Sequence, residues 1–247
     1  MESPDNPAKK FFSRWRSGRH NGTGVDSLSP ASDWAAARRL AMVEQQLRSR
    51  GIKDERVLEA MSQVPRHEFV PPEQREEAYE DHPLPIGGGQ TISQPYMVAT
   101  MVEALELKGT ERVLEVGTGS GYQAAVLALL AARVYTMEFD PTLARAVEER
   151  FADMGLADSI VVICGDGSLG YPPAAPYDGI IVAAAAPDVP ENYLEQLVEG
   201  GRLVIPVGNL DSQELRQIRK CEGQAVSRGL GYCRFVPLRG ERGWKDI

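Results

Sequence analysis

Acidic residues and glycines recur where the strands of an α/β sheet are expected to end. The segment Glu115–Gly121 has the pattern G-x-G-x-G after its glutamate and joins an apolar strand to an apolar helix. Glu138 ends the next strand, and the third strand is followed by Gly165-Asp166-Gly167. Glycines allow tight turns and a close approach of a ligand to the backbone. Because open α/β sheets bind ligands outside the carboxyl ends of their strands, these residues predict one binding site.

The spacing of the glycines indicates which ligand this site takes. A dinucleotide fingerprint is G-x-G-x-x-G, whereas here Tyr122 stands in place of the last glycine, and its ring would prevent close packing of helix on strand. Glu115 would lie near any phosphate, so it favours a cationic ligand such as S-adenosylmethionine, which carries a sulfonium and an ammonium. Glu138 can then accept hydrogen bonds from both ribose hydroxyls, and Asp166 can meet the adenine amino group. Each acid alone could be a solvated loop carboxylate, but three at successive strand ends favour a cofactor site.

A second segment, Leu84–Pro95, is rich in glycine and proline and contains Ser93. Most of it belongs to a loop-like stretch from Arg66 to Gln90. A loop of this length inside a compact domain is usually functional. The Ser93 hydroxyl could contact a substrate, could cap a helix that begins at Pro95, or could do both.

The surrounding pattern predicts the elements that hold these residues. Apolar strands alternate with helices from Arg112 to about Val198, which is typical of a parallel sheet with helices on both faces. Past Gly201 the pattern becomes strand-rich, and the last strands are close enough to pair antiparallel at one edge. The predicted strands are 112–116, 134–138, 160–163, 178–182, 202–207, 214–219 and 232–236, and the helices between them are 121–131, 141–154 and 190–198.

The chain divides into a tail and one domain. Residues 1–31 are rich in Ser, Gly, Asn, Asp and Pro without a sustained period, which predicts a disordered tail. Residues 32–247 form the predicted domain, with a helical and substrate-loop part over 32–108 and a cofactor-binding sheet over 109–247. The first part is expected to contain helices from Ser32-Asp33 to Gly51, from Asp54 through Met61, and from Pro95.

Composition restricts the class of protein and its partners. The 247 residues are 43% hydrophobic and carry a net charge of -8 at pH 7, so a phosphate backbone would be repelled and nucleic acid is an unfavourable partner. No apolar run is long enough to cross a bilayer, and the polar first residues lack the apolar core of a secretory signal. Cys164, Cys221 and Cys233 have neither C-x-x-C spacing nor a nearby histidine, which argues against a metal site. We expect a cytoplasmic monomer that contacts neither nucleic acid nor membrane.

Together these segments closely resemble the protein-L-isoaspartate O-methyltransferase family, from about Met42 to Trp244. The resemblance implies a Rossmann-like class I S-adenosylmethionine methyltransferase fold: an α/β structure with a mostly parallel sheet, antiparallel edge strands and an N-terminal helical cap. It also implies Ser93 as the catalytic residue, no metal, and a wall for the substrate's backbone at Val204–Gly208. The segments that carry it include Val64-Pro65-Arg66, Pro83–Pro95, Val113–Tyr122, Gly165-Asp166-Gly167 and Phe235–Leu238. The cofactor-binding residues it implies are Thr91, Ile92, Ser93, Glu115, Gly117, Thr118, Gly119, Glu138, Phe139, Gly165, Asp166 and Gly167.

The family's reaction follows from the resemblance as an expectation. Its members transfer a methyl group from S-adenosyl-L-methionine to the free α-carboxylate of L-isoaspartyl and D-aspartyl residues in proteins and peptides, which leads to repair and leaves S-adenosyl-L-homocysteine. Such a carboxylate has a pKa of about 3.5 and needs no general base at neutral pH. It needs an in-line methyl donor, and correct positioning can contribute roughly 7–11 kcal/mol. We expect Ser93 to bond one carboxylate oxygen and to aim the other at the methyl group, without a role for His67 or His82.

Three alternatives stay open at this point. Ala183 stands where the family often has a threonine, so the substrate could be a carboxylate on a dedicated peptide or a small molecule. A protein that binds the cofactor without transferring its methyl group would lack Ser93 or the glycine loop, and both are present. A nicotinamide dehydrogenase is disfavoured by Tyr122 and by the absence of a convincing hydride-transfer site.

Overall fold

The computed structural model describes residues 6–16 and 30–245 of the chain. Its α-helices are α1 (Pro7–Arg16), α2 (Pro30–Ala41), α3 (Glu55–Gln63), α4 (Pro95–Glu103), α5 (Tyr122–Leu130), α6 (Pro141–Asp153) and α7 (Glu191–Glu195). Its strands are β1 (Leu84–Gly87), β2 (Gln90–Ile92), β3 (Arg112–Val116), β4 (Arg133–Glu138), β5 (Ile160–Cys164), β6 (Tyr177–Val182), β7 (Leu197–Gly208), β8 (Gln213–Cys221) and β9 (Gln224–Cys233).

Seven of the strands in the described chain form one sheet in the order β5-β4-β3-β6-β7-β8-β9. The neighbours from β5 to β7 pair in parallel, whereas β7-β8 and β8-β9 pair antiparallel. The predicted α/β fold, a mostly parallel sheet with antiparallel edge strands, is therefore confirmed. The chain leaves β3 toward β4 and later returns to β6 on the other side of β3. Open sheets bind ligands at such a switch point.

The predicted strands agree with the structure in the centre of the sheet and depart from it at the edge. β3 has the predicted bounds, and β4, β5 and β6 each differ by one residue at one end. The prediction of a strand over 232–236 is wrong, because β9 begins at Gln224 and ends at Cys233. β9 is the sheet's edge and is almost fully exposed, so it has no apolar alternation to predict it. Past β9, the β pairing of the described residues is limited to an isolated bridge between Ala185 and Pro237.

The prediction of a disordered tail over 1–31 is wrong for residues 7–16, which form helix α1. The Asn6 side chain caps this helix, accepting a hydrogen bond from the Ala8 backbone N–H at 2.9 Å, and its own amide donates to the Ala128 carbonyl on α5 at 2.9 Å. Ala8 and Phe12 are buried against the core. Residues 1–5 and 17–29 of the predicted tail lie outside the described residues.

The N-terminal helices pack against one another and against α5, and together they form the predicted helical cap. A π-helical turn, Met42–Leu47, and a 3-10 turn, Arg48–Arg50, follow α2 and lead to Gly51. Asp54 caps α3 as predicted, because its side chain accepts a hydrogen bond from the Arg56 N–H. In the part of the chain that the structure describes, no helix is both long enough and apolar enough to cross a membrane.

The stretch from Arg66 to Gln90, predicted as a loop, contains short regular elements. The 3-10 turns Arg66–Phe69 and Pro72–Glu77 precede a small hairpin of β1 and β2. Three consecutive glycines with positive φ, Gly87 to Gly89, make its turn, and no side chain with a Cβ adopts such a run without strain. The hairpin delivers the chain to Ser93, so this stretch positions the candidate catalytic residue.

Candidate functional site

The glycine loop connects β3 to α5 in a conformation that its sequence dictates. Gly117, Gly119 and Gly121 all have positive φ, and the amides of Gly117 and Thr118 donate to the Met137 carbonyl at 2.9 and 3.1 Å. A Cβ at Gly121 would lie 2.8 Å from the Phe151 ring of α6. The third glycine therefore lets the loop and α6 pack closely, while the first two leave backbone open toward a ligand.

Tyr122, the first residue of α5, is buried away from the loop against the N-terminal cap. Its hydroxyl donates to the Met61 sulfur at 3.5 Å, and its ring meets Phe69 edge to face. The Arg66 guanidinium lies 4.9 Å from the centre of the same ring. A tyrosine at this position thus fastens the cap to the helix that follows the glycine loop.

Glu138 ties the glycine loop to the end of β4. One carboxylate oxygen accepts a hydrogen bond from the Gly119 N–H at 2.9 Å, and the other accepts one from the Asp140 N–H at 3.0 Å. The side chain is only 7% exposed but lines the cavity described below. Each oxygen keeps further acceptor capacity, so vicinal hydroxyls of a ribose are suitable donors.

Glu115 lies deeper and belongs to a chain of polar side chains. It accepts hydrogen bonds from the Gln123 amide at 3.1 Å and from the Thr136 hydroxyl, which lies 2.6 Å from the Thr118 hydroxyl. Burial raises the pKa of Glu115 from the ordinary value of 4.5 to about 8, although the two hydrogen bonds oppose the rise. A cation in the cavity would favour the ionised carboxylate, which agrees with the predicted preference for a cationic ligand.

The raised pKa of Glu115 predicts how stability depends on pH. Between pH 4.5 and about 8 the folded chain holds a proton at Glu115 that the unfolded chain releases, so this residue lowers stability as pH rises through that window. Denaturant unfolding of the ligand-free wild type and of Glu115→Gln should therefore diverge with increasing pH, in favour of the variant, by at most about 1.4 kcal/mol per pH unit. The difference should level off above pH 8. A difference that stays constant from pH 5 to pH 9 would contradict the assigned pKa.

Ser93 is half-buried, and among the described residues its hydroxyl has no hydrogen-bond partner. The alternative that Ser93 caps α4 is wrong, since the cap residue is Gln94 and the capping carboxylate comes from Asp81. Asp81 accepts from the Tyr96 N–H at 3.0 Å and from the Gln94 amide at 3.3 Å, and it pairs with Arg50. The Ser93 hydroxyl therefore stays available to a ligand.

One cavity brings most of the predicted residues together. The hairpin forms one wall, with Ile86 over Gly119, and the ends of β3, β4 and β6 form the floor. Ten of the twelve predicted cofactor residues line it: Thr91, Ile92, Ser93, Glu115, Gly117, Thr118, Gly119, Glu138, Phe139 and Gly167. The residues that form the glycine loop and the hydroxyl of Ser93 thus share one space.

Gly165 and Asp166 are not among the residues that line this cavity. Asp166 caps a 3-10 turn instead, where one oxygen accepts from the Ser168 N–H at 2.9 Å and from its hydroxyl at 2.6 Å. Its other oxygen accepts from the Glu241 N–H at 2.8 Å. Asp166 therefore contacts the C-terminal segment, and its contact with an adenine amino group stays a prediction.

The segment Val204–Gly208, implied as a wall for the substrate, is also absent from the cavity lining. It is the end of β7, with Val204, Ile205 and Val207 buried. Its backbone pairs with β8, and on the other side Val204 pairs with β6 and Val207 bridges Ala186. Ala183 and Ala184, which follow β6, line the cavity in its place. The role of this segment as a wall for the substrate's backbone stays a prediction.

Sequence reasoning missed several lining residues. Gln123 follows the glycine loop by two residues, and its partnership with Glu115 depends on the helical turn between them. The segment Val236–Arg239 lies more than a hundred residues from the loop it faces, so no local pattern indicates it. The resemblance includes Phe235–Leu238 without assigning those residues a role.

The residues present fit S-adenosylmethionine chemically. The glycine loop exposes its backbone to the cavity without intervening side chains. A Cβ at Gly117 would lie between the loop and Ala183, 3.6 Å from the Ala183 Cβ. Glu138 supplies acceptors for a ribose, and Glu115 supplies a counter-charge for a cation. Among the described lining residues there is no histidine that could act as a base for a serine nucleophile. The cavity is therefore suited to a reaction whose nucleophile arrives already charged.

Comparison with known sequences identifies relatives over most of the chain. The family described as Protein-L-isoaspartate(D-aspartate) O-methyltransferase (PCMT) matches residues 37–243. A Protein-L-isoaspartate O-methyltransferase of Methanoculleus marisnigri is 55% identical over 204 residues, covering 83% of this chain and 92% of the relative. A Protein-L-isoaspartate O-methyltransferase 2 of Marinobacter nauticus is 57% identical over 208 residues, covering 83% and 94%.

Solved structures show the same similarity in three dimensions. A structure named protein-L-isoaspartate O-methyltransferase superimposes with a TM-score of 0.74 at 29% identity, over 84% of this chain and 67% of that one. A Plasmodium falciparum protein-L-isoaspartate O-methyltransferase, crystallised in complex with S-adenosyl-L-homocysteine, gives a TM-score of 0.70 at 28% identity, over 81% of this chain and 98% of that one.

Proposed function

Because the chain belongs to the protein-L-isoaspartate(D-aspartate) O-methyltransferase family, we propose that its cavity methylates the free α-carboxylate of L-isoaspartyl and D-aspartyl residues in damaged proteins. The observation that carries the proposal is the unpartnered Ser93 hydroxyl in the same cavity as the glycine loop and Glu138. The methyl donor is S-adenosyl-L-methionine, and the product is S-adenosyl-L-homocysteine.

Ten cavity residues would hold the cofactor in this proposal. Glu138 would accept from the ribose, and Glu115 would face the cationic end. When bound, the cofactor supplies a methyl group whose bond to sulfur breaks as a carboxylate oxygen forms the ester bond. The remaining contacts would come from Thr91, Ile92, Gly117, Thr118, Gly119, Phe139, Gly167 and the backbone of Ser93, whose hydroxyl stays free for the substrate.

Ser93 would act on the substrate as a hydrogen-bond donor. Its hydroxyl would hold one oxygen of the α-carboxylate, which leaves the other oxygen to attack. A donor of this kind fixes direction without neutralising the nucleophile, and the carboxylate is already ionised at neutral pH. The hairpin residue Ile86, which lies next to Gly119, would help to exclude water from the glycine loop.

Methyl transfer to a matched pair of peptides tests the proposed function. The two peptides share one sequence and differ only in whether a single residue is isoaspartyl or aspartyl. We expect labelled methyl groups from the cofactor to appear on the isoaspartyl peptide and to be released later as methanol, because the neighbouring amide displaces the ester. If neither peptide is methylated while the protein binds S-adenosyl-L-homocysteine, the proposed function is wrong.

The proposal also covers the oligomeric state and the cellular location of the protein. We propose that the protein acts as a monomer. Cys164, Cys221 and Cys233 form no disulfide and suit a reducing compartment such as the cytoplasm. The partners proposed are isoaspartyl proteins and peptides, without nucleic acid or membrane.

A further inference from the structure

Among the described residues that line the cavity, Arg239 is the only one with a cationic side chain. The acidic side chains at the cofactor end of the lining are Glu115 and Glu138. Arg239 is exposed at the rim, and within the described chain its guanidinium makes no hydrogen bond or ion pair. Other arginines of this structure do find acidic partners, such as Arg202 with Glu106.

The backbone that presents Arg239 is fixed on both sides. The Leu238 N–H donates to the Ala185 carbonyl at 2.8 Å, and the Trp244 indole donates to the same carbonyl at 2.9 Å. On the other side, the Glu241 N–H donates to Asp166 at 2.8 Å. Gly240 has a φ of +120°, and a Cβ there would lie 1.9 Å from an Asp166 oxygen. The backbone at Arg239 is therefore fixed, while its side chain is free to reach a ligand at the rim.

The change of charge during the reaction makes the reacting carboxylate an unfavourable partner for Arg239. That carboxylate loses its negative charge as the ester forms, so a guanidinium paired with it would stabilise the substrate more than the transition state and slow the reaction. A second carboxylate, whose charge does not change, carries no such penalty. A guanidinium binds carboxylates through two parallel hydrogen bonds, and here it lies at the mouth of a protein with a net charge of -8 that otherwise repels acidic peptides.

We infer that Arg239 is a specificity-determining residue that receives a side-chain carboxylate next to the isoaspartyl residue of the substrate. The inference rests on the proposed function, because it concerns which isoaspartyl peptides the same cavity accepts. It makes isoaspartyl sites with acidic neighbours better substrates than sites with neutral or basic neighbours. Since Arg239 acts at the rim, the preference falls on KM and leaves kcat nearly unchanged.

A set of peptides that differ at one neighbour tests the inference. Each has an amidated C-terminus and carries Asp, Asn or Lys beside the isoaspartyl residue, in one series before it and in another after it. In at least one series the wild type should show a kcat/KM about 3- to 5-fold higher for Asp than for Asn, as for an exposed ion pair, and lowest for Lys. With Arg239→Gln, kcat/KM should be nearly the same for the Asp, Asn and Lys peptides. With Arg239→Glu, the order of kcat/KM should be reversed, with the Lys peptide highest. A further peptide carries Asn beside the isoaspartyl residue and has a free C-terminal carboxylate. It shows whether a C-terminal carboxylate can replace the Asp side-chain carboxylate as the partner of Arg239.

Arg242 supplies the matched control. It lies three residues further on, is exposed, and has Glu241 as its only side-chain ion-pair partner among the described residues. Arg242→Gln should keep the wild-type order. The inference is overturned if the wild type treats Asp and Lys peptides alike in both series, if Arg239→Glu keeps the wild-type order, or if Arg242→Gln levels the series as Arg239→Gln does.

A binding measurement separates this inference from the proposed function. Fluorescence anisotropy of the same peptides on protein saturated with S-adenosyl-L-homocysteine gives dissociation constants without turnover. Their order should again be Asp, Asn, Lys for the wild type and reversed for Arg239→Glu. A protein that binds peptides in this order but methylates none of them would contradict the proposed function alone, whereas methylation without any neighbour preference would contradict only the role of Arg239.

Discussion

Replacing Ser93 by alanine is expected to lower kcat/KM for an isoaspartyl peptide by about 10- to 100-fold, the effect of losing one hydrogen bond to a charged group. The affinity for S-adenosyl-L-homocysteine should stay nearly unchanged, because no described group depends on the hydroxyl. Initial rates with labelled cofactor give kcat/KM, and calorimetric titration gives the affinity. The loss should lie mainly in kcat, since the hydroxyl directs the attacking oxygen.

Two controls make the Ser93 result specific. Ser227→Ala alters an exposed serine on the edge strand β9 and should leave both measurements unchanged. Thermal unfolding of Ser93→Ala should match the wild type, since Asp81 and not Ser93 caps α4. If the alanine variant lost affinity for S-adenosyl-L-homocysteine by as large a factor as it lost turnover, Ser93 would hold the cofactor and would not direct the substrate.

The centre of the fold could be predicted because its signals are local. Three of the five residues of β3 (Val113, Leu114 and Val116) are apolar and buried, and its end is marked by Gly117 and Gly119, whose positive φ favours glycine. Glu138 follows one strand later, and parallel strands end at the same edge of a sheet. Sequence order therefore gives spatial proximity here, which is why the carboxylates of Glu115 and Glu138 could be assigned to one cavity.

The rest of the site depends on contacts between distant segments. Asp166 accepts a hydrogen bond from the Glu241 N–H, 75 residues away, and no local pattern predicts that contact. The docking of α1 likewise depends on the bond from Asn6 to Ala128, across 122 residues. A short polar segment such as residues 6–16 resembles a solvated tail until the surface it covers is known. No period or motif in the sequence contains that information.

Replacing Glu138 by alanine is expected to weaken cofactor binding more than any other single change considered. Glu138 accepts hydrogen bonds from the amides of Gly119 and Asp140, and in the proposed complex it also accepts from the ribose. Hydrogen bonds to charged groups contribute about 1.5–3 kcal/mol each, so the loss of two at the ribose raises the dissociation constant roughly 10²- to 10⁴-fold. Calorimetric titration with S-adenosyl-L-homocysteine measures this change, and Glu148→Ala, an exposed position on α6, is the matched control.

A ligand without ribose hydroxyls distinguishes direct contact from a loosened loop. The 2′,3′-dideoxy form of S-adenosyl-L-homocysteine should bind the wild type much more weakly than the natural compound does. With Glu138→Ala the two compounds should bind nearly alike, because the acceptor that distinguishes them is gone. The two losses would then be far from additive, as expected for groups that contact each other. Additive losses would mean that Glu138 acts only by holding the Gly119 and Asp140 amides, and that the ribose hydroxyls bind elsewhere.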